Sequence, residues 1–131
     1  MAYRRHLILI VDDDQAVRDS LQFALQLEGL SVHVHRGGAA LLADPDLSKA
    51  GCLILDERNP CMDGFSLLGR LQAMDIHVPA ILLTNHATPR IKARANAAGV
   101  RMVLEKPLLD NALADNIRRI LEAESRAEAG V

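Results

Sequence analysis

The sequence predicts an α/β protein, a doubly wound five-stranded parallel sheet covered by five helices. Three observations lead there. Short apolar runs rich in β-branched residues recur along the chain, each followed by a segment with apolar residues at helical spacing. That alternation occurs five times, the pattern of strands joined by right-handed crossovers. The first strand segment reads as a continuous apolar run, as a strand buried on both faces does.

Each element follows from its residues. The run from His6 to Val11 is a strand, stopped by Asp12, Asp13 and Asp14. Gln15 to Glu28 carries Val17, Leu21, Ala24, Leu25 and Leu27 at helical spacing, with Asp14 as the cap and Gly29 as the stop. Ser31 to His35 is a strand, Ala39 to Ala43 a short helix, Cys52 to Leu55 the third strand, and Phe65 to Met74 the third helix. Ala80 to Leu83 is a strand, Pro89 to Ala98 a helix closed by Gly99, and Arg101 to Leu104 the last strand. The final helix runs from Leu108 to about Ala123, with Leu109, Leu113, Ile117, Ile120 and Leu121 as one apolar stripe. Residues 1–123 therefore read as one domain, and 124–131 as a tail that extends the helix or begins a linker.

Composition excludes several functions. The longest apolar runs fall far short of the ~20 residues that span a bilayer, and the basic N-terminus lacks a signal-peptide core. The expectation is a soluble, cytoplasmic chain without membrane contact. A net charge of −2, with acids and bases interspersed, offers no broad basic surface for nucleic acid. Cys52 and Cys61 stand apart and read as reduced thiols.

In a doubly wound sheet, ligands sit at the carboxyl ends of the strands. Those positions hold Asp12, Asp13 and Asp14, then Asp56, Thr84 and Lys106. Two carboxylates ~4 Å apart repel by about 4 kcal/mol at an effective dielectric of 20, so such a cluster needs a cation or raised pKa values. Oxygen donors alone favour Mg²⁺ over Zn²⁺. An ammonium and a hydroxyl facing an acid-bound metal would cradle a phosphoryl group, with Asp56 as its acceptor.

These residues, Ile10-Val11-Asp12-Asp13-Asp14, Asp56 with Pro60 and Gly64 following, Thr84, and Lys106-Pro107, resemble the response-regulator receiver family over almost the whole chain. The resemblance implies a flavodoxin-like sheet of strand order 2-1-3-4-5. It implies Mg²⁺ held by Asp13, Asp56 and the backbone carbonyl of Arg58, with Asp12 assisting through water, and a cis Lys106-Pro107 bond. The donor would be a sensor histidine kinase or a histidine phosphotransferase. Output would pass through protein contacts, to an effector or a second copy by way of the last two helices, where Arg90, Lys92, Arg94, Arg118 and Arg119 are candidates.

The sequence departs from the family at several points. Val103 stands where an aromatic switch residue is usual, and Asn85 where a small residue is usual. Arg58 and His86 occupy the two positions that flank the attacking water and tune dephosphorylation, and Asn59 replaces a frequent methionine. Val103 and Asn85 leave open the alternative of a receiver-fold protein-binding module that works without phosphorylation. A phosphatase of the haloacid dehalogenase type lacks its late acidic pair and cap, and a flavin carrier lacks phosphate-binding donors after the first strand. His33 and His35 share one face of a strand but have no third ligand in view, so they read as surface or packing residues.

Overall fold

The computed structural model describes residues 6–108 and 112–129. Five parallel strands, β1 (Leu7–Val11), β2 (Ser31–His35), β3 (Cys52–Asp56), β4 (Ala80–Thr84) and β5 (Met102–Glu105), form a sheet of order β2-β1-β3-β4-β5. The helices are α1 (Gln15–Leu27), α2 (Gly38–Leu42), α3 (Gly64–Ala73), α4 (Pro89–Ala97) and α5 (Ala112–Ala129). A 3₁₀ turn at Leu47–Lys49 leads into β3.

The pleat divides the core into two layers, because successive strand side chains point to opposite faces. Ile8, Ile10, Cys52, Ile54, Ile81 and Leu83 pack with Leu21 and Leu25 of α1 and Leu113, Ile117 and Ile120 of α5. Leu7, Leu9, Leu53, Leu55 and Leu82 pack with Leu41 of α2, Leu67 and Leu71 of α3, and Ala95 of α4. Apolar layers on both faces explain why the central strands β1, β3 and β4 are buried along their whole length.

Helix ends follow local chemistry. Asp14 caps α1, its carboxylate accepting from the N–H groups of Ala16 and Val17, and Thr88 caps α4 ahead of Pro89. Gly29 (φ 84) and Gly99 (φ 81) adopt the left-handed conformation that stops α1 and α4. Only part of the predicted α1 stripe is buried. Val17, Leu21 and Leu25 lie four residues apart on the sheet face, whereas Ala24 and Leu27 point to solvent.

Element ends differ from the sequence prediction in ways that bear on the site. β3 and β4 each run one residue further, so Asp56 and Thr84 are the last strand residues. The ladder continues beyond them, with Glu57 N–H donating to Leu83 O and Lys106 N–H to Thr84 O, both at 2.8 Å. β5 is displaced by one residue, to Met102–Glu105. The helix α5 continues to Ala129, past the predicted end at Ala123. The predicted beginning of that helix, including Leu109, lies partly outside the described residues.

Candidate functional site

β1, β3 and β5 bring the predicted acids and the lysine together. Asp12 is fully buried just beyond β1, where its N–H donates to His35 O and its carbonyl accepts from Arg18 Nη1 at 2.7 Å. Its carboxylate accepts from Asp14 N–H at 2.9 Å and from Lys106 Nζ at 2.8 Å. Lys106 Nζ also lies 3.4 Å from Asp56 Oδ1. Carboxylate oxygens of Asp12, Asp13 and Asp56 fall within 4.8 Å of one another, with Asp13 the exposed member. The Lys106-Pro107 peptide is cis.

The charges are unequally satisfied. Burial and the adjacent Asp12 charge push the Asp56 carboxyl up to about 6, against the pull of Lys106 and the Arg58 N–H. Burial works to lower the Lys106 ammonium, but its contacts with Asp12 and Asp56 hold it above its usual value, so it stays charged. One ammonium faces three carboxylates, and the cluster needs further positive charge. Oxygen donors in this number suit a hydrated Mg²⁺.

Thr84 is brought to the same end of the sheet, but its hydroxyl is engaged elsewhere. It donates to Glu57 Oε1 at 2.7 Å and accepts from His86 N–H at 3.2 Å. Glu57 was not singled out from the sequence; its position directly after Asp56 was the only signal. Arg58, Asn85 and His86 are exposed at the rim. Arg58, Thr84, Asn85 and His86 line a cleft of about 380 Å³ that continues to Arg90 and Arg94. Val103 is half-buried in the layer beneath α2, α3 and α4.

Two residues, one in the loop and one at the start of α3, hold the Asp56 loop in shape. Asn59, whose role the sequence left open, is buried and donates from Nδ2 to Arg36 O at 2.9 Å, while its Oδ1 accepts from Cys61 N–H. It ties the loop after β3 to the end of β2. Gly64 approaches so closely that a Cβ would lie 2.9 Å from Asp56 O and 2.8 Å from a Leu82 methyl. Gly64→Ala is therefore expected to lower stability by about 1–3 kcal/mol, as overpacking does, and to slow any reaction at Asp56. Urea unfolding checks the first effect; a midpoint matching the parent chain would show that the loop yields freely.

This topology, with acids and a lysine converging at the carboxyl ends of the strands, defines a doubly wound α/β domain with an anionic pocket at its switch point. The chain belongs to the response regulator receiver domain family, whose model matches residues 8–118. It is 36% identical over 126 residues to the transcriptional regulatory protein FixJ of Rhizobium meliloti, covering 96% of this chain and 62% of that protein. It is 39% identical over 127 residues to the C4-dicarboxylate transport transcriptional regulatory protein DctR of Rhodobacter capsulatus, covering 89% and 64%. The chain thus spans less than two thirds of the length of these curated relatives. The crystal structure of FixJ-N superposes with a TM-score of 0.79 at 34% identity, covering 93% of this chain and 95% of that one. The fold, the strand order and the family predicted from the sequence are all borne out. Among the described residues no helix is long and apolar enough to cross a membrane.

Proposed function

We propose that this receiver domain accepts a phosphoryl group on Asp56 from a sensor histidine kinase or histidine phosphotransferase, with Mg²⁺ as cofactor. The observation that carries the reading is the Asp12, Asp13 and Asp56 cluster with Lys106 Nζ set between Asp12 and Asp56. In the transfer, an Asp56 carboxylate oxygen bonds to phosphorus as the phosphorus–nitrogen bond of the donor breaks, and the donor imidazole leaves with the electron pair. Lys106 balances the charge of the incoming phosphoryl oxygens. Asp12, Asp13, Asp56 and the Arg58 carbonyl would hold the Mg²⁺, which supplies the remaining positive charge.

A groove of about 490 Å³ beside Lys106, lined by Ala16, Val17, Leu21, Asn85, Pro107 and Leu108, gives a donor protein a mostly apolar approach to the site. Output to an effector or a second copy would use α4 and α5. Arg90, Lys92 and Arg119 are exposed there, while Arg94 lies over the Phe65 ring at 4.1 Å and Arg118 donates to Glu28 O. Nucleic acid and membrane are not among the proposed partners, and the cytoplasm is the proposed compartment.

Thr84 is the proposed partner of a phosphoryl oxygen, and to serve it must release Glu57. Breaking a hydrogen bond to a charged acceptor costs about 1.5–3 kcal/mol. Glu57→Ala is therefore expected to raise the phosphorylated fraction at a fixed, subsaturating acetyl phosphate concentration, with the acetyl phosphate needed for half-modification falling roughly tenfold. An unchanged requirement would show that Thr84 plays no part in holding the group.

The test of the function is intact mass after incubation with acetyl phosphate, with Mg²⁺ and with a chelator. A single adduct of about 80 Da that forms only with Mg²⁺ is expected. No adduct under either condition, in a folded chain, would favour the second reading, a binding module independent of phosphorylation. Glu57 on the Thr84 hydroxyl and Val103 in place of a ring are the observations that favour it.

A further inference from the structure

β2 is an edge strand, and Val32 and Val34 turn towards the layer of α1 and α5. His33 and His35 therefore turn the other way, towards the segment that follows α2. There the structure supplies the third ligand that the sequence did not reveal. His33 Nδ1 and His35 Nε2 each lie 2.9 Å from the same oxygen, Asp44 Oδ2. The other oxygen, Oδ1, accepts from Asp46 N–H at 2.9 Å, a turn that brings a second carboxylate to the cluster. Ligand atoms of His33, Asp44 and Asp46 fall within 4.8 Å of one another.

We propose that His33, His35, Asp44 and Asp46 form a binding site for a divalent transition-metal ion of the Zn²⁺ class, distinct from the Asp56 cluster. Two imidazoles and two carboxylates are the donor set and number of a four-coordinate site. Imidazole nitrogen selects Zn²⁺, Ni²⁺, Co²⁺ or Cu²⁺ over Mg²⁺, which takes oxygen ligands. The Asp44 side chain is only 5% exposed, yet His33 is 40% exposed, so a fixed carboxylate is joined to a path from solvent.

Asp44 is the hub of the cluster, with one carboxylate oxygen facing both imidazoles and the other fixed by the Asp46 N–H. Each imidazole would bind as the neutral tautomer with its proton on the outward nitrogen. The ion then replaces the two contacts that converge on Asp44 Oδ2. Donors of a tetrahedral site with bonds of about 2.0–2.1 Å lie about 3.3 Å apart; His33, Asp44 and Asp46, within 4.8 Å of one another, and His35, 2.9 Å from Asp44 Oδ2, would reach that spacing by side-chain rearrangement.

Titration of the full chain with Co²⁺ in saturating Mg²⁺ tests this, because Co²⁺ in a four-coordinate nitrogen and oxygen site absorbs visible light. One equivalent is expected to bind, to be displaced by Zn²⁺, to persist in Asp56→Asn, and to weaken at least about tenfold in His33→Gln and in His35→Gln. The wild-type protein gives a second readout that no folding defect can confuse. Bound Co²⁺ should shift the ring protons of His33 and His35 in the NMR spectrum and leave His77 and His86 in place. Absence of visible absorption, binding lost in Asp56→Asn, parent-like binding in both histidine variants, or shifts confined to other histidines would each overturn the site. The cluster would then be a hydrogen-bonded brace between β2 and the segment after α2.

Discussion

Asp56→Asn is expected to form no adduct with acetyl phosphate and, without divalent ions at pH 7.5, to unfold at a higher temperature than the parent chain. Loss of the adduct follows because an amide does not replace the nucleophilic carboxylate. The stability effect follows from charge. With its carboxyl at about 6 in the folded chain and near 3.8 when unexposed to the fold, Asp56 binds its proton more tightly in the folded state. Its contribution to stability therefore falls as pH rises from about 4 to about 6 and is level above that. The difference corresponds to about 3 kcal/mol. Asn imitates the protonated acid, so its advantage should be full at pH 7.5 and fade towards pH 4. Mg²⁺ should stabilise the parent chain and narrow the gap. Thermal unfolding at the two pH values, with and without Mg²⁺, measures this; coincident melting curves at pH 7.5 would mean that the Asp56 charge is already compensated.

Lys106→Met should have the opposite effect on stability and a large effect on transfer. It removes the ammonium that contacts Asp12 at 2.8 Å and Asp56 at 3.4 Å, leaving the Asp12 side chain, 1% exposed, without that partner. Stripping one member from a buried pair costs about 3 kcal/mol. Acidification should recover part of it by protonating Asp56. Initial rates of adduct formation should fall about 100-fold, the usual scale for one lost charge-stabilising donor. Lys106→Arg tests geometry separately, since a planar guanidinium does not reproduce a point charge between two carboxylates. Parent-like rates in Lys106→Met would remove the lysine from the proposed chemistry.

Most of the framework was legible in the sequence because it rests on short-range patterns. Apolar runs marked the strands, Asp14, Gly29 and Gly99 marked helix ends, and the strand-end rule then selected Asp12, Asp13, Asp56, Thr84 and Lys106. What escaped depends on side-chain direction across elements. Glu57 reaches Thr84 across 27 positions, and Asn59 reaches Arg36 across 23. Both act through hydrogen bonds between distant parts of the chain, which leave no periodic trace. Leu27 illustrates a different limit. It is apolar and near the stripe, yet helical geometry turns it 71% into solvent. His33 and His35 were visible as a pair, but Asp44 joins them only because α2 and its following turn fold back over the edge strand.

Lys106 and Asp12 meet across 94 positions of chain. Asp56 sits on a strand between the two, so no hairpin, helix or contiguous half of the molecule contains the reactive arrangement. A nascent or partly unfolded chain carries the proposed acceptor aspartate but not the ammonium beside it, and should react far more slowly. The proposed capacity to take a phosphoryl group would thus depend on closure of the sheet, and a phosphorylated molecule would report its own completed fold.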